Sequence, residues 1–272
     1  LHGKEISYNN ILDIDAALNL ISEFTEGTFA ILKHNNSCGV ASRRTPKEAY
    51  LAALESDPVS AFGGVLATNM PIDEACAQEL NALFFEIIIA PSYSEEALKI
   101  LKEKRNRIIL RQKSFKKLAN KKRTALNGIL VQETDMAIES SKDWKVMTKR
   151  APSSAESEDL EFGVKVVKHL KSNGIALIKN KQLIGMGCGQ VSRVDALRHA
   201  IKKAKEFALT LDGAIMASDA FFPFSDCVEI AHQEGIKAVA QPGGSIKDEE
   251  SIEYCDQAGM TMVMTGIRHF NH

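Results

Sequence analysis

Lys33-His34-Asn35-Asn36-Ser37-Cys38-Gly39 sets an ammonium beside an imidazole directly after a short apolar run, Phe29-Ala30-Ile31-Leu32. At the end of a strand such a pair supplies a fixed positive charge and a titrating base, the equipment of proton transfer. Strand ends are also where α/β sheets carry their sites. A plain surface turn is the alternative. Ser218-Asp219-Ala220-Phe221-Phe222-Pro223-Phe224-Ser225-Asp226 follows a second apolar run. Three phenylalanines flanked by two carboxylates can form an apolar slot for a flat heteroaromatic ligand. A core plug, with Asp226 capping the next helix, is the other reading. Ser192-Arg193 opens a helical pattern, where a guanidinium fork can meet a carboxylate or phosphate, or stay exposed. Arg268 follows the apolar run Met260–Met264 and can hold phosphate; a frayed tail is the alternative. Gly185-Met186-Gly187-Cys188-Gly189-Gln190 is glycine-rich like a nucleotide loop but lacks the GxGxxG spacing.

The elements that must position these groups occur twice. Gly27–Tyr93 and Gly174–Ser245 read as one unit repeated, with Cys38-Gly39 and Cys188-Gly189 offset by 150 positions. Each copy has an apolar run, the Cys-Gly pair, and an alanine-rich helical pattern (Pro46–Glu55, Val194–Phe207). A Gly-led strand follows (Gly64–Ala67, Gly213–Ala217), then a second helix (Asp73–Leu80, Asp226–Glu234). Each copy ends on a strand before proline (Ile87–Ala90, Ala238–Ala240). Short strands alternating with helices predict a layered α/β architecture with helices on both faces. Between the copies, Lys99–Arg123 is dense in Lys and Arg, Asp135–Glu158 is polar, and Asp159–Lys171 has helical spacing. The boundary is expected near Asn120, giving units 1–120 and 121–272.

The 34 basic and 35 acidic side chains leave a net charge of -1, so global charge points to no polyanion. The basic stretch Lys102–Arg123 holds a single aromatic, Phe115, and reads as solvated surface or connector, not as a nucleic-acid site. Five scattered cysteines without a Cys-x-x-Cys fit a reducing, cytoplasmic setting. No apolar run is long enough for a membrane span. A zinc deaminase needs a His/Cys-x-Glu and a Pro-Cys-x-x-Cys; both are absent, so no zinc is expected.

Together these stretches resemble one family. Gly3-Lys4-Glu5-Ile6-Ser7-Tyr8-Asn9-Asn10 with Asp13 and Asp15-Ala16-Ala17 is similar to its GKxLSYNNxLDxDAA, and Lys33–Ala41 to its KHxNPCGVA. Ser56–Gly64, Ser218–Phe224 and Arg268-His269-Phe270 complete the resemblance, in the expected order from Gly3 to His272. The family is the AICAR transformylase region of the bifunctional purine-biosynthesis proteins. Ser37 stands where the family usually has Pro, which removes a rigid φ. The family also carries an Arg-Tyr-Gly-Glu-Asn-Pro-His-Gln segment and a cyclohydrolase domain upstream of this start, so the chain reads as a transformylase fragment.

The resemblance implies two tandem cytidine-deaminase-like three-layer αβα units without zinc, in a homodimer whose active sites draw on both subunits. It implies formyl transfer from 10-formyltetrahydrofolate to the 5-amino group of AICAR, with His34 as base and Lys33 beside the tetrahedral centre. Asn10, Gly63, Glu86, Asn173, Arg193 and Arg268 would contact the nucleotide, and Val194, Phe221, Asp226, Ser245 and Ile246 would line the folate site. A monovalent cation is compatible with such folds, and no residue is assigned to it. A ring deaminase on the same fold and a ligand-binding module without turnover are the competing readings.

Overall fold

The structure is a computed structural model that describes residues 1–137 and 140–272. Helix α1 (Tyr8–Ile21) starts in a reciprocal cap, Ser7 Oγ taking the Asn10 N–H and Asn10 Oδ1 taking that of Ser7. Strands β1 (Thr28–Lys33) and β2 (Asn36–Ser42) follow, then α2 (Pro46–Ser56) and the single turn α3 (Pro58–Ala61). Next come β3 (Val65–Thr68), α4 (Glu74–Asn81), β4 (Ile87–Ala90), α5 (Glu95–Lys102) and β5 (Ile108–Arg111). A separate hairpin, β6 (Asn120–Ala125) and β7 (Gly128–Glu133), precedes the short β8 (Lys145–Val146). The second copy holds α6 (Ser154–Val167), β9 (Ile175–Lys179), β10 (Gln182–Gly187), α7 (Arg193–Glu206) and β11 (Ile215–Ser218). It ends with α8 (Asp226–Gln233), β12 (Ala238–Gln241), α9 (Asp248–Gln257) and β13 (Thr261–Met264).

Both copies lie in one eleven-stranded mixed sheet of order β5-β4-β3-β1-β2-β10-β9-β11-β12-β13-β8. Within each copy the first strand forms an antiparallel hairpin with the second and pairs antiparallel with the third, which continues into a parallel set. The copies join where β2 meets β10 antiparallel, at Ala41 and Gln182. That pairing relates them by an approximate twofold axis normal to the sheet. Both hairpin turns have two residues at positive φ, His34-Asn35 and Asn180-Lys181, as a tight hairpin matched to strand twist requires. The expected boundary, Asn120, is the first residue of β6, whose hairpin stands outside the main sheet.

Alternation along the strands builds three layers. Ala30 and Leu32 of β1, with Ala176 and Ile178 of β9, face α1 and α6 in one core that runs across both copies. Phe29 and Ile31 face α2, α4 and α5, while Ile175 and Leu177 face α7, α8 and α9. Glycines let the helices close on the sheet. A Cβ on Gly39 would stand 1.9 Å from Ala53 O of α2, and one on Gly187 2.0 Å from Ala196 O of α7.

Three expectations are corrected. The glycine-rich segment 185–190 is no loop at its start: Gly185 and Gly187 belong to β10 and admit α7. The helix expected over Asp159–Lys171, α6, begins at Ser154, five residues before Asp159, because Ser153 and Glu156 form a capping box. The C-terminal segment is not frayed. His269 is buried, its N–H donates to Asp219 O (2.9 Å), and Asn271 N donates to Ser172 Oγ.

A buried charge network pins this tail to the connector and to both helices of the shared core. Glu23 Oε1 receives Lys117 Nζ and Lys168 Nζ (3.2 Å) and lies 3.0 Å from His169 Nε2. Lys168 also donates to Ala137 O (2.7 Å), and Asp135 sits 2.6 Å from His269 Nδ1. Burial alone would raise the Glu23 pKa; the hydrogen bonds from His169 and Lys117, with the charge of Lys168, bring it down to about 2. A carboxylate depressed below its ordinary 4.5 stabilises the fold above that pH, and the contribution is lost as pH falls from 4.5 towards about 2. Unfolding free energy measured by urea should therefore drop across that window by at most on the order of 3 kcal/mol. A Glu23→Gln chain, less stable at neutral pH, should lack this component; the same acid dependence in both chains would remove Glu23 as its source.

Candidate active site

The sheet register puts the C-terminal end of β1, the N-terminal ends of β2 and β9, and the C-terminal ends of β10 to β13 on one edge. Every residue expected to act lies along it, in two groups. In the first, the β1–β2 turn presents His34 to solvent at φ 52°. The turn is held from three sides. Asn35 N donates to Asp13 Oδ1 (2.7 Å), Asn36 Nδ2 donates to His34 O (3.0 Å), and Lys33 Nζ reaches Phe62 O (2.8 Å). Next to Phe62, Gly63 takes φ 74° and donates to Phe84 O. Glu86 follows, its Oε2 receiving Asn10 Nδ2 (3.2 Å) and Lys4 Nζ (3.3 Å). The N-terminus of α1, the β1–β2 turn and the start of β4 thus gather Asn10, Lys33, His34, Gly63 and Glu86.

The second group centres on an ion pair. Arg193, first residue of α7, is not the exposed helix-start charge: it is buried, as is Asp219. Its Nη2 donates to Asp219 Oδ1 (2.6 Å), Nε to Ser218 Oγ (2.8 Å) and Nη1 to Phe221 O (3.4 Å). Ser218 Oγ passes the bond on to Ala220 O (2.7 Å). The three phenylalanines do not make one slot. Phe222 is fully buried in the core, Phe224 is exposed beneath Lys247, and only Phe221 faces the edge, with the Arg268 guanidinium 4.8 Å from its ring centroid. Arg268 also lies against the backbone of Gly244, in the loop that Asp248 Oδ2 fixes by accepting Gly244 N (2.7 Å) and Ser245 N (3.1 Å). Ile246 at its tip is fully exposed. Asp226 is the first residue of α8, not its cap, and accepts Cys227 N (2.8 Å). Asn173 Nδ2 donates to Gln190 O (2.9 Å), beside the half-buried Val194.

Between the groups, the backbone of Lys171 fills the sheet's midline. Its N–H donates to Asn36 Oδ1 (3.2 Å), and its O accepts Gly189 N (2.7 Å). His34 and Phe221 sit on strands four places apart, roughly 19 Å at about 4.8 Å per strand.

Sequence reasoning missed Asp219 as the partner of Arg193, and Asp57 as that of Lys203 across the copies (2.7 Å). The Asp219 carboxylate stands two residues before Phe221 in a stretch already singled out, so a buried arginine nearby was the missing signal. No spacing announces Lys203. Ser37, in place of the expected proline, is buried with its hydroxyl unpartnered among the described residues. Cys38 is buried, and burial followed by the nearby Asp57 charge pushes its thiol up to about 12, which removes it as a nucleophile at neutral pH. Among the described residues no three His, Cys, Asp or Glu are grouped to hold a metal, and no helix is long and apolar enough to cross a membrane.

These features define a duplicated mixed-sheet α/β protein with its polar site strung along one set of strand ends. The family model described as the AICARFT/IMPCHase bienzyme matches residues 1–203, and the chain belongs to that family. It is 60% identical over its whole length to the bifunctional purine biosynthesis protein PurH of Bacteroides thetaiotaomicron, covering 54% of that protein. It is 50% identical to the PurH proteins of Aquifex aeolicus and Acetivibrio thermocellus, covering 53% of each. The chain therefore spans about half the length of the curated relatives it matches. A solved diaminohydroxyphosphoribosylaminopyrimidine deaminase/5-amino-6-(5-phosphoribosylamino)uracil reductase from Thermotoga maritima aligns at 19% identity. Its TM-score is 0.27, over 41% of this chain and 35% of that one, a likeness on which nothing rests.

Removing one partner of a buried ion pair strands the other charge. Asp219→Asn should cost roughly 3–5 kcal/mol in urea unfolding, and Asp219→Asn with Arg193→Met should recover part of it. Additive losses in the double variant would show that the two side chains do not act as a pair.

Proposed function

We propose that this chain carries out formyl transfer from 10-formyltetrahydrofolate to the 5-amino group of AICAR, giving the formylated nucleotide and tetrahydrofolate in purine biosynthesis. The observation that carries the reading is His34. A tight turn braced by Asp13 and Asn36 holds it out to solvent beside Lys33, on the edge that also bears Arg193, Phe221 and Arg268. The amine is a poor nucleophile because its lone pair is conjugated with the ring and carboxamide. As it attacks the formyl carbon, His34 takes the N–H proton, and the Lys33 ammonium steadies the oxyanion of the tetrahedral centre. Collapse breaks the bond to the folate N10, which leaves with a proton. A ring deaminase on the same fold is the competing reading, and ammonia release would separate it from formyl transfer.

Asn10, Gly63, Glu86, Asn173 and Arg193 are assigned to the nucleotide, and Arg268 to its phosphate through its planar fork. Arg193 already spends three donors on Asp219, Ser218 and Phe221 O, which fixes its plane and leaves it to orient as much as to bind. Val194, Phe221, Asp226, Ser245 and Ile246 are assigned to the folate. The buried Asp219 Oδ2, unpartnered among the described residues, is the oxygen a monovalent cation would take. The fold reads as two cytidine-deaminase-like units, 1–120 and 121–272. Because His34 and Phe221 lie roughly 19 Å apart within one chain, the reading includes a homodimer in which each site joins the His34 group of one subunit to the Arg268 group of the other.

His34→Ala should lower turnover at least ~10²-fold with little loss of ligand binding; near-normal turnover would remove it as the base. Arg268→Ala should weaken nucleotide affinity above all. Mixing the two variants, at a nucleotide concentration too low for the Arg268→Ala chain to turn over, tests the shared site: random pairing should restore about a quarter of parental activity. No recovery in mixed dimers would place each site within a single chain.

A further inference from the structure

Lys33 carries the charge assigned to the tetrahedral centre on a long, flexible side chain. Among the described residues its ammonium makes one hydrogen bond, to Phe62 O (2.8 Å). An ammonium has three donors, so this bond leaves two for an oxyanion and fixes where they point. The aim of Lys33 therefore depends on what holds Phe62 O. Phe62 directly follows α3, a single turn too short to be stable by itself. Asp57 starts that turn, its Oδ1 accepting Ser60 N (2.9 Å) and its Oδ2 accepting Ser60 Oγ (2.7 Å). Asp57 is buried, and the cation that answers it comes from the other copy: Lys203 of α7, with Nζ 2.7 Å from Oδ2. Burial would raise the Asp57 pKa, but hydrogen bonds from Lys203 and Ser60 more than offset it, so the group stays a carboxylate at neutral pH. Lys33 belongs to the same cluster. The buried Cys38 thiol feels the Asp57 carboxylate and both ammoniums, so the three charges gather around one sulfur.

We propose that Asp57 and Lys203 are positioning residues for the transfer step, the second copy reaching across the seam to hold the turn that aims Lys33. The inference rests on the role assigned to Lys33 above. Neither side chain is given a substrate contact; both act through α3 and Phe62 O. A donor to an oxyanion works only from where the charge develops, and a displacement of about 1 Å can cost ~10²-fold in rate. Freeing α3 moves that donor. Gly63, assigned to the nucleotide, is fixed separately by its own N–H to Phe84 O (2.8 Å). The loss therefore belongs in kcat and not in KM.

The test measures kcat, both KM values and the urea midpoint for the parent, Lys203→Met, Lys203→Arg and the neutral pair Asp57→Asn/Lys203→Met. Lys205→Met, which breaks the Lys205–Glu234 pair on the same helix, is the control of equal charge change. Lys203→Met should lower kcat roughly 10–10²-fold while each KM stays within about threefold. Lys203→Arg should restore most of the rate, and the control should match the parent. The neutral pair separates aim from stability. It strands no charge, so its urea midpoint should return towards the parent while kcat stays low. A kcat that recovers with the midpoint shows a structural tie only and overturns the proposal. So does a parental rate in Lys203→Met, a loss confined to KM, or a Lys203→Arg chain no faster than Lys203→Met. These results leave formyl transfer standing. A parent that does not turn over AICAR with 10-formyltetrahydrofolate overturns that reading and this inference with it.

Discussion

The antiparallel meeting of β2 and β10 decides almost everything else. It is a small contact, anchored at Ala41 and Gln182, yet it turns two sheets into one and fixes their relative sense. Because the strands run opposite ways, the first hairpin turn of one copy shares an edge with the parallel strand ends of the other. The imidazole and ammonium of one unit thereby lie on the same edge as the arginines and phenylalanine of the other, roughly 19 Å along it. A parallel join would have sent the two groups to opposite ends of the molecule. The join is reinforced on both faces, by the core shared between α1 and α6 and by the Asp57–Lys203 pair that ties the first copy to α7.

Charge is then used as mortar where the elements end. Arg193, Asp219 and the backbone of His269 connect the start of α7, the end of β11 and the C-terminal segment; Asp135, Lys168 and Glu23 extend that line to α6 and the end of α1. Arg193, Lys168, Asp135 and Glu23 each have several partners, as buried charges require, because desolvation would otherwise exceed the attraction. The result is a rigid frame behind an open edge: Phe221, Arg268 and the loop at Ile246 project from it, while their supports are locked.

Much of this was legible in the chain. The repeat gave away the alternating elements, because apolar strands and alanine-rich helices leave periodic marks, and the Lys33–Gly39 and Ser218–Asp226 stretches do lie at the strand ends their composition suggested. What stayed hidden was written in spacing too long to read. The second strands, β2 and β10, carry Asn, Ser, Gly and Gln in place of a β-branched run, because helix backbones press on their glycines. The burial of Arg193 depends on Asp219, 26 residues away, and the anchoring of the tail on Asp135, 134 residues away. Nor does local pattern tell that Phe222 turns inward and Phe221 outward.

The approximate twofold axis has one more consequence. It gives the molecule a second edge, built like the first, where the turn between β9 and β10 occupies the place of the turn between β1 and β2. There Lys179-Asn180-Lys181 replaces Lys33-His34-Asn35, so the titrating ring is gone and an amide stands in its position. Arg43 spends its guanidinium on the carbonyls of Ser42 and Asn180 and on Gln182 Oε1, and Lys181 is neutralised by Glu26 and Glu158. Doubling the unit left one edge free to become a seam. Its polar groups are consumed in holding the copies together, whereas the other edge keeps the His34 ring out in solvent.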